Sequence, residues 1–143
     1  MWAVWFTAAM AQMPPEGHAE LVRSLSMRHA VPCDDLGAGS PTPAVALLYV
    51  VDNVAMPPWA PMRAAQCLVD NHAAEATEAL QDWVTTPELR GLGRLVLGQL
   101  DALPVAIAVP VARAALRGSD PALARQRVGA SGVSEVRSLM VTE

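Results

Sequence analysis

The chain reads as an all-α protein, a short α-solenoid of about three helical hairpins with an extra helix on the N-terminal side. Three observations predict that class. Of 143 residues, 52% are hydrophobic but only 4% aromatic, the alanine, leucine and valine composition of packed helices rather than of a β-sandwich. Apolar residues recur three and four apart in one segment after another, the period of an amphipathic helix. Finally, residues 43 to 71, 74 to 100 and 104 to 130 each read as two helices over about thirty residues, close to the period of helical repeats. Residues 13 to 143 are then expected to form a single helical domain, a usual size for one.

The opening stretch, MWAVWFTAAMAQ, carries no charge, and none follows until Glu16. Ala9-Met10-Ala11 stands where a small-residue cleavage site would stand, so residues 1 to 12 resemble the end of a secretory signal, although the positive flank of such a signal is missing. An ordinary buried N-terminal segment is the other reading. Either way the run is too short to span a bilayer as a helix. The apolar run at 102 to 112 is also too short and contains Pro104 and Pro110, so no stable membrane insertion is expected. The signal reading places the protein in the periplasm or outside the cell; the alternative is the cytoplasm.

Residues 16 to 30 follow as a helix with Val22, Leu25, Ser26 and His29 on one stripe. VPCDDLGAGSPTP then breaks the period, and its Pro, Gly, Asp and Ser content marks a loop. Thr42-Pro43 is a proline-first helix start, leading into a helix from 43 to about 55 with Ala44, Leu47, Leu48, Val51 and Ala55 inward. Pro57 and Pro58 end it. Trp59 to Asn71 reads as its partner, with Ala64, Ala65, Cys67 and Leu68 available for burial.

The central hairpin, 74 to 100, is the clearest. Ala76, Ala79, Leu80, Trp83 and Val84 make one stripe, with Glu75, Glu78 and Asp82 pointing elsewhere. Leu89, Leu92, Gly93, Val96, Leu97 and Leu100 make the next, and Gly93 and Gly98 would let a neighbouring helix come close. Between them, Thr86 can cap with Pro87 in first position, or Thr85 can form a capping box with Glu88. Leu103 to Arg117 is the next helix, kinked at Pro110 and stopped at Gly118. Asp120-Pro121 starts another, reaching about Ala130. SGVSEVRSLMVTE leaves helix, fragment and disorder open.

The second-helix starts Pro61-Met62-Arg63-Ala64-Ala65, Pro87-Glu88-Leu89-Arg90-Gly91-Leu92 and Asp120-Pro121-Ala122-Leu123-Ala124-Arg125 are similar to the Asp-Pro, apolar, Arg, small-residue pattern of HEAT-like repeats. Pro110 matches that family's proline in a first helix. Arg125 stands one residue late, the first hairpin lacks the Asp before its proline, and the resemblance covers about residues 41 to 130. It implies an α-solenoid whose curved face binds proteins, with Arg63, Arg90 and Arg125 bracing the neighbouring turn through an acid such as Asp82 or Asp101.

Charge excludes one class of partner. Lysine is absent, all ten basic residues are arginine and the net charge is -4. The first fact reflects a GC-rich, bacterial codon bias. The second argues against nucleic acid, whose phosphates require a cationic face. A metal site from Cys33, Asp34, Asp35, Cys67 and His72 has poor spacing, because structural zinc prefers paired Cys or His ligands. Seven serines include no G-x-S-x-G, and His18, His29 and His72 offer them no local base. Gly91-Leu92-Gly93 lies inside a helix and is no dinucleotide fingerprint. No cofactor, metal or catalytic residue is expected, and the chain is read as a non-enzyme.

Cys33 and Cys67 are the two cysteines. In an oxidising compartment they would form one disulfide tying the 30 to 42 loop to the first hairpin; the alternative is two unrelated thiols. The function expected is a non-catalytic interaction or scaffold module, with an accessory or regulatory subunit of an enzyme on another chain as the alternative. Its partner would be an acidic protein meeting a row of Arg63, Arg90 and Arg94, of which Arg94 alone lies outside the bracing pattern.

Overall fold

A computed structural model describes residues 13–29, 31–36 and 40–142. Every regular element among the described residues is helical. The signal reading of residues 1 to 12 lies outside them. The chain divides into two compact units, residues 1–65 and 66–143, and the division falls within a continuous helix, Trp59–Asn71.

In the first unit Gly17 takes φ 83 just ahead of α1, His18–Ser26, a left-handed conformation open to glycine at little steric cost. Leu21 and Leu25 are the buried pair of α1. The expected stripe through Val22 and His29 is therefore corrected by one residue: Val22 is only partly covered and His29 is exposed. A single 3₁₀ turn, Cys33–Asp35, crosses the loop. Pro43 opens α2, Pro43–Asn53, but the Thr42 side chain makes no cap bond. α2 buries Ala46, Leu47 and Val50, whereas the expected inward residues Ala44, Leu48 and Val51 are half-covered and Ala55 is exposed. The sequence PAVALLYVV is apolar around its whole circumference, so periodicity alone could not choose its face. α1 packs on α2, where the His18 ring meets Tyr49 edge-on at 4.9 Å. The Met56-Pro57 peptide bond is cis, and α3, Trp59–Asn71, follows with Ala60, Ala64 and Ala65 fully buried.

The second unit centres on α4, Thr77–Thr85, which packs against both α5, Arg90–Gly98, and α6, Val105–Leu116. Its stripe is the expected one, with Ala76, Leu80, Trp83 and Val84 buried and Ala79 half-covered. A 3₁₀ turn, Pro87–Leu89, precedes α5. Neither expected threonine cap forms. Thr86 makes no side-chain cap bond, and the Thr85 hydroxyl donates back to the Gln81 carbonyl at 2.9 Å, a competing local bond open to any helical threonine. α5 turns Gly93, Val96 and Leu97 inward.

Gly93 has the close approach expected of it: a Cβ there would stand 2.6 Å from the Trp83 carbonyl oxygen. Gly98 does not, since nothing lies within 4 Å of its Cβ position. The second close approach belongs to Gly118, whose Cβ would collide with the Val84 carbonyl and lie 3.2 Å from Thr85 Cα. Two glycines thus let α5 and the turn after α6 settle on the last turn of α4. α6 runs through Pro110 to Leu116. Asp120 caps α7, Pro121–Gly129, by accepting from the Leu123 N–H at 3.2 Å. The tail forms α8, Ser134–Arg137, and α9, Leu139–Thr142, with Val136 and Leu139 buried.

Candidate functional site

The arginines expected to share one role are placed in two different settings. Arg63, one turn into α3, directs its guanidinium at the end of α1. Nη1 donates to the Leu25 carbonyl at 3.1 Å and to the Met27 carbonyl, and Nη2 donates to the Arg28 carbonyl at 3.3 Å. The indole of Trp59 adds a bond from Nε1 to the Ser26 carbonyl at 3.3 Å, and the guanidinium carbon lies 6.0 Å from the Trp59 ring centroid. The Leu25 and Ser26 carbonyls belong to the last turn of α1, which a helix leaves without intrahelical donors, those of Met27 and Arg28 follow directly after it, and a cation there also suits the helix dipole. Arg63 therefore does brace a neighbouring turn, but through backbone oxygens rather than through the acid expected.

Arg90 and Arg94 lie in the second unit, one turn apart on α5, and both are exposed. Among the described residues neither guanidinium has a hydrogen-bond or ion-pair partner. Together they flank a shallow cleft lined by Val84, Gly93, Leu97, Ser119, Asp120 and Leu123. The cleft encloses about 10 Å³, space for about one water molecule and far below a small-molecule pocket. Arg125 and Arg127 are exposed on α7.

Asp101, the other expected bracing acid, has partners of its own. Its carboxylate accepts from the Ser131 hydroxyl and, at 2.9 Å, from the Gly132 N–H. Arg137 Nη1 donates to the Ser131 carbonyl at 2.9 Å, and the Ser131 hydroxyl accepts from the Val133 N–H at 3.1 Å. The Ser131 hydrogen bond first, then that of Gly132, and with them the charge of Arg137, hold the Asp101 carboxyl below its ordinary pKa against a smaller desolvation effect. This cluster ties the turn before α8 to the turn before α6. Periodicity did not reveal it.

Cys33 and Cys67 are joined in a disulfide, which removes both as thiolate ligands. Among the described residues no group of three or more His, Cys, Asp or Glu side chains is placed to hold a metal ion. No helix is long and apolar enough to cross a membrane. The chain matches no protein-family model, and comparison with curated proteins and with solved structures returned no match.

Proposed function

We propose that this chain is a non-catalytic protein-interaction module, a HEAT-like α-solenoid serving as a scaffold in the bacterial periplasm or outside the cell. The observation that carries the reading is the outer side of α5. Its inner side is committed to the core through Gly93, Val96 and Leu97, while Arg90 and Arg94 are exposed and have no hydrogen-bond or ion-pair partner among the described residues. Charged side chains kept at a surface without an internal partner are available for an external one. The disulfide supports the exported location, because such bonds persist in oxidising compartments. The cleft beside α5, with space for one water, suits a contact surface better than a substrate pocket.

Cross-linked capture from a native envelope fraction tests the reading, with the wild-type chain and Arg94→Glu as baits. The expected result is a stoichiometric, non-catalytic protein that Arg94→Glu recovers poorly at low salt. A stoichiometric enzyme in its place would make this chain an accessory subunit. Equal recovery by both baits would move the binding surface away from α5.

A further inference from the structure

We propose that the cleft beside α5 receives an acidic segment of a partner protein that carries one small aliphatic side chain next to its carboxylates. This rests on the interaction-module reading and adds to it a location and a ligand chemistry. The polar groups of the cleft decide the charge of the ligand. Asp120 caps α7 through one oxygen, Oδ1, which accepts from the Leu123 N–H, and keeps its negative charge. The Ser119 hydroxyl faces the Val84 carbonyl at 3.5 Å, and its N–H faces the same oxygen at 3.4 Å. Against that single carboxylate stand the two guanidinium groups of Arg90 and Arg94, which leave the cleft cationic and offer donors and no acceptor. A complementary ligand must bring acceptors, and a pair of carboxylates one helical turn apart matches two forked donors with the same spacing. The chain as a whole is acidic, at -4, so the attraction is local to these two side chains and is not a general field.

The floor of the cleft decides the rest. Val84, Leu97 and Leu123 make it apolar, and its volume of about 10 Å³ fits a methyl group or a single water. An aliphatic tip that displaces a weakly held water from such a floor gains affinity. The surface of α5 beside it is open as well. Gly91 and Gly98, two turns apart and in register with Arg94, have nothing within 4 Å of their Cβ positions. Glycine is a poor helix former, and no packing neighbour requires it at either place. A partner backbone can therefore approach α5 closely on both sides of Arg94.

The test is fluorescence polarisation with a panel of end-blocked pentapeptides, each with one valine or leucine flanked by glutamates. Controls replace the aliphatic residue by glycine, or the glutamates by lysines. Wild-type chain is expected to bind the acidic aliphatic peptides, with affinity falling as salt is raised. Arg90→Glu and Arg94→Glu, checked for unchanged melting by circular dichroism, should each bind about tenfold more weakly, as loss of a charge-assisted pair implies. The glycine control should also be weaker, and the lysine control should not bind. Binding that ignores both arginine substitutions, or no binding by any acidic peptide, overturns the proposal.

Sedimentation of the wild-type chain covers the other occupant. Self-association abolished by Arg94→Glu would place a second copy in the cleft, through the exposed acids Glu75, just before α4, and Glu78 and Asp82 on it, and would overturn the partner assigned here. The two readings fail separately. Envelope capture that depends on Arg94 without peptide binding removes the peptide chemistry only, whereas peptide binding without any envelope partner removes the scaffold reading only.

Discussion

Arg63 and Arg94 occupy comparable places, each the fifth residue of its helix, yet their surroundings give them opposite roles. Arg63 reaches the C-terminal end of α1, where three carbonyls converge on its guanidinium. Arg94 stands over a cleft whose carboxylate caps α7 through one oxygen and whose hydroxyl turns to the Val84 carbonyl, and it meets no acceptor of its own. The side chain is the same; what differs is whether unsatisfied backbone lies within its reach. A charge of the first kind supports the fold, and one of the second kind is free to support an interaction. Measurements that separate stability from binding can break or sharpen this division.

The largest effect is expected where α5 turns inward. Leu97 is 5% exposed, three residues from the exposed Arg94 on the same helix. Leu97→Asp places an unpaired charge in the core and should cost several kcal/mol, enough to abolish cooperative thermal unfolding. Arg94→Glu should change stability by no more than about 0.5 kcal/mol. Near-wild-type melting of Leu97→Asp would mean that the inner and outer faces of α5 have been assigned wrongly.

A finer comparison uses the glycines of the same helix. Gly93→Ala drives a methyl to 2.6 Å from the Trp83 carbonyl, a backbone atom that cannot step aside, and should cost roughly 1 to 3 kcal/mol as overpacking does. Gly91→Ala meets nothing and should stabilise by about 0.5 to 1 kcal/mol, because alanine is the better helix former. Denaturant midpoints of the two variants should move in opposite directions. If both fall, the outer face is packed after all.

How far these roles were legible beforehand depends on what each relies upon. The faces of α4 and α5 were readable because Glu75, Glu78, Asp82, Arg90 and Arg94 interrupt the apolar residues and fix the phase of the stripe. α2 has no such interruption until Asp52, and its buried face, Ala46, Leu47 and Val50, was settled by packing rather than by pattern. The arginine row was readable as a set of positions but not as a set of contacts. Carbonyl oxygens carry no letter, so nothing in the residue order told Arg63, which meets the end of α1 from 38 positions away, from Arg94. The clash at Gly118 was hidden in the same way, since its neighbours are backbone atoms of α4.

Arg63→Ala should cost about 1 to 2 kcal/mol by leaving the carbonyls of Leu25, Met27 and Arg28 without their donor, and Trp59 would lose the cation beside its ring. Arg94→Ala should be nearly neutral. Lysine distinguishes charge from shape: Arg63→Lys keeps the cation at the helix end but cannot reach several carbonyls with a planar fork, so it should recover only part of the loss. Full recovery by lysine in thermal melts would reduce the clamp to a dipole effect.

The smallest effect concerns Asp101, the acidic counterpart of Arg63, whose carboxylate is engaged by Ser131 and Gly132. Its folded pKa lies below the ordinary value, so the folded state favours the ionised form more than the unfolded chain does. The resulting stability is fully present above the ordinary carboxylate pKa of about 3.9 and fades as pH falls through the lower folded value. Exposure of the carboxylate to water keeps the contribution small. Asp101→Asn preserves the shape and one acceptor oxygen while removing the charge. The variant should therefore melt slightly below wild type at pH 7, and the gap should narrow as both are titrated toward pH 3. Arg137→Gln should behave in the same direction with a smaller gap, since the Arg137 charge ranks below both hydrogen bonds in lowering the pKa. A gap that stays constant from pH 7 to pH 3 would show that Asp101 holds the 131 to 133 turn by shape alone, and the division between engaged and available charges would then rest on Arg63 and Arg94 without it.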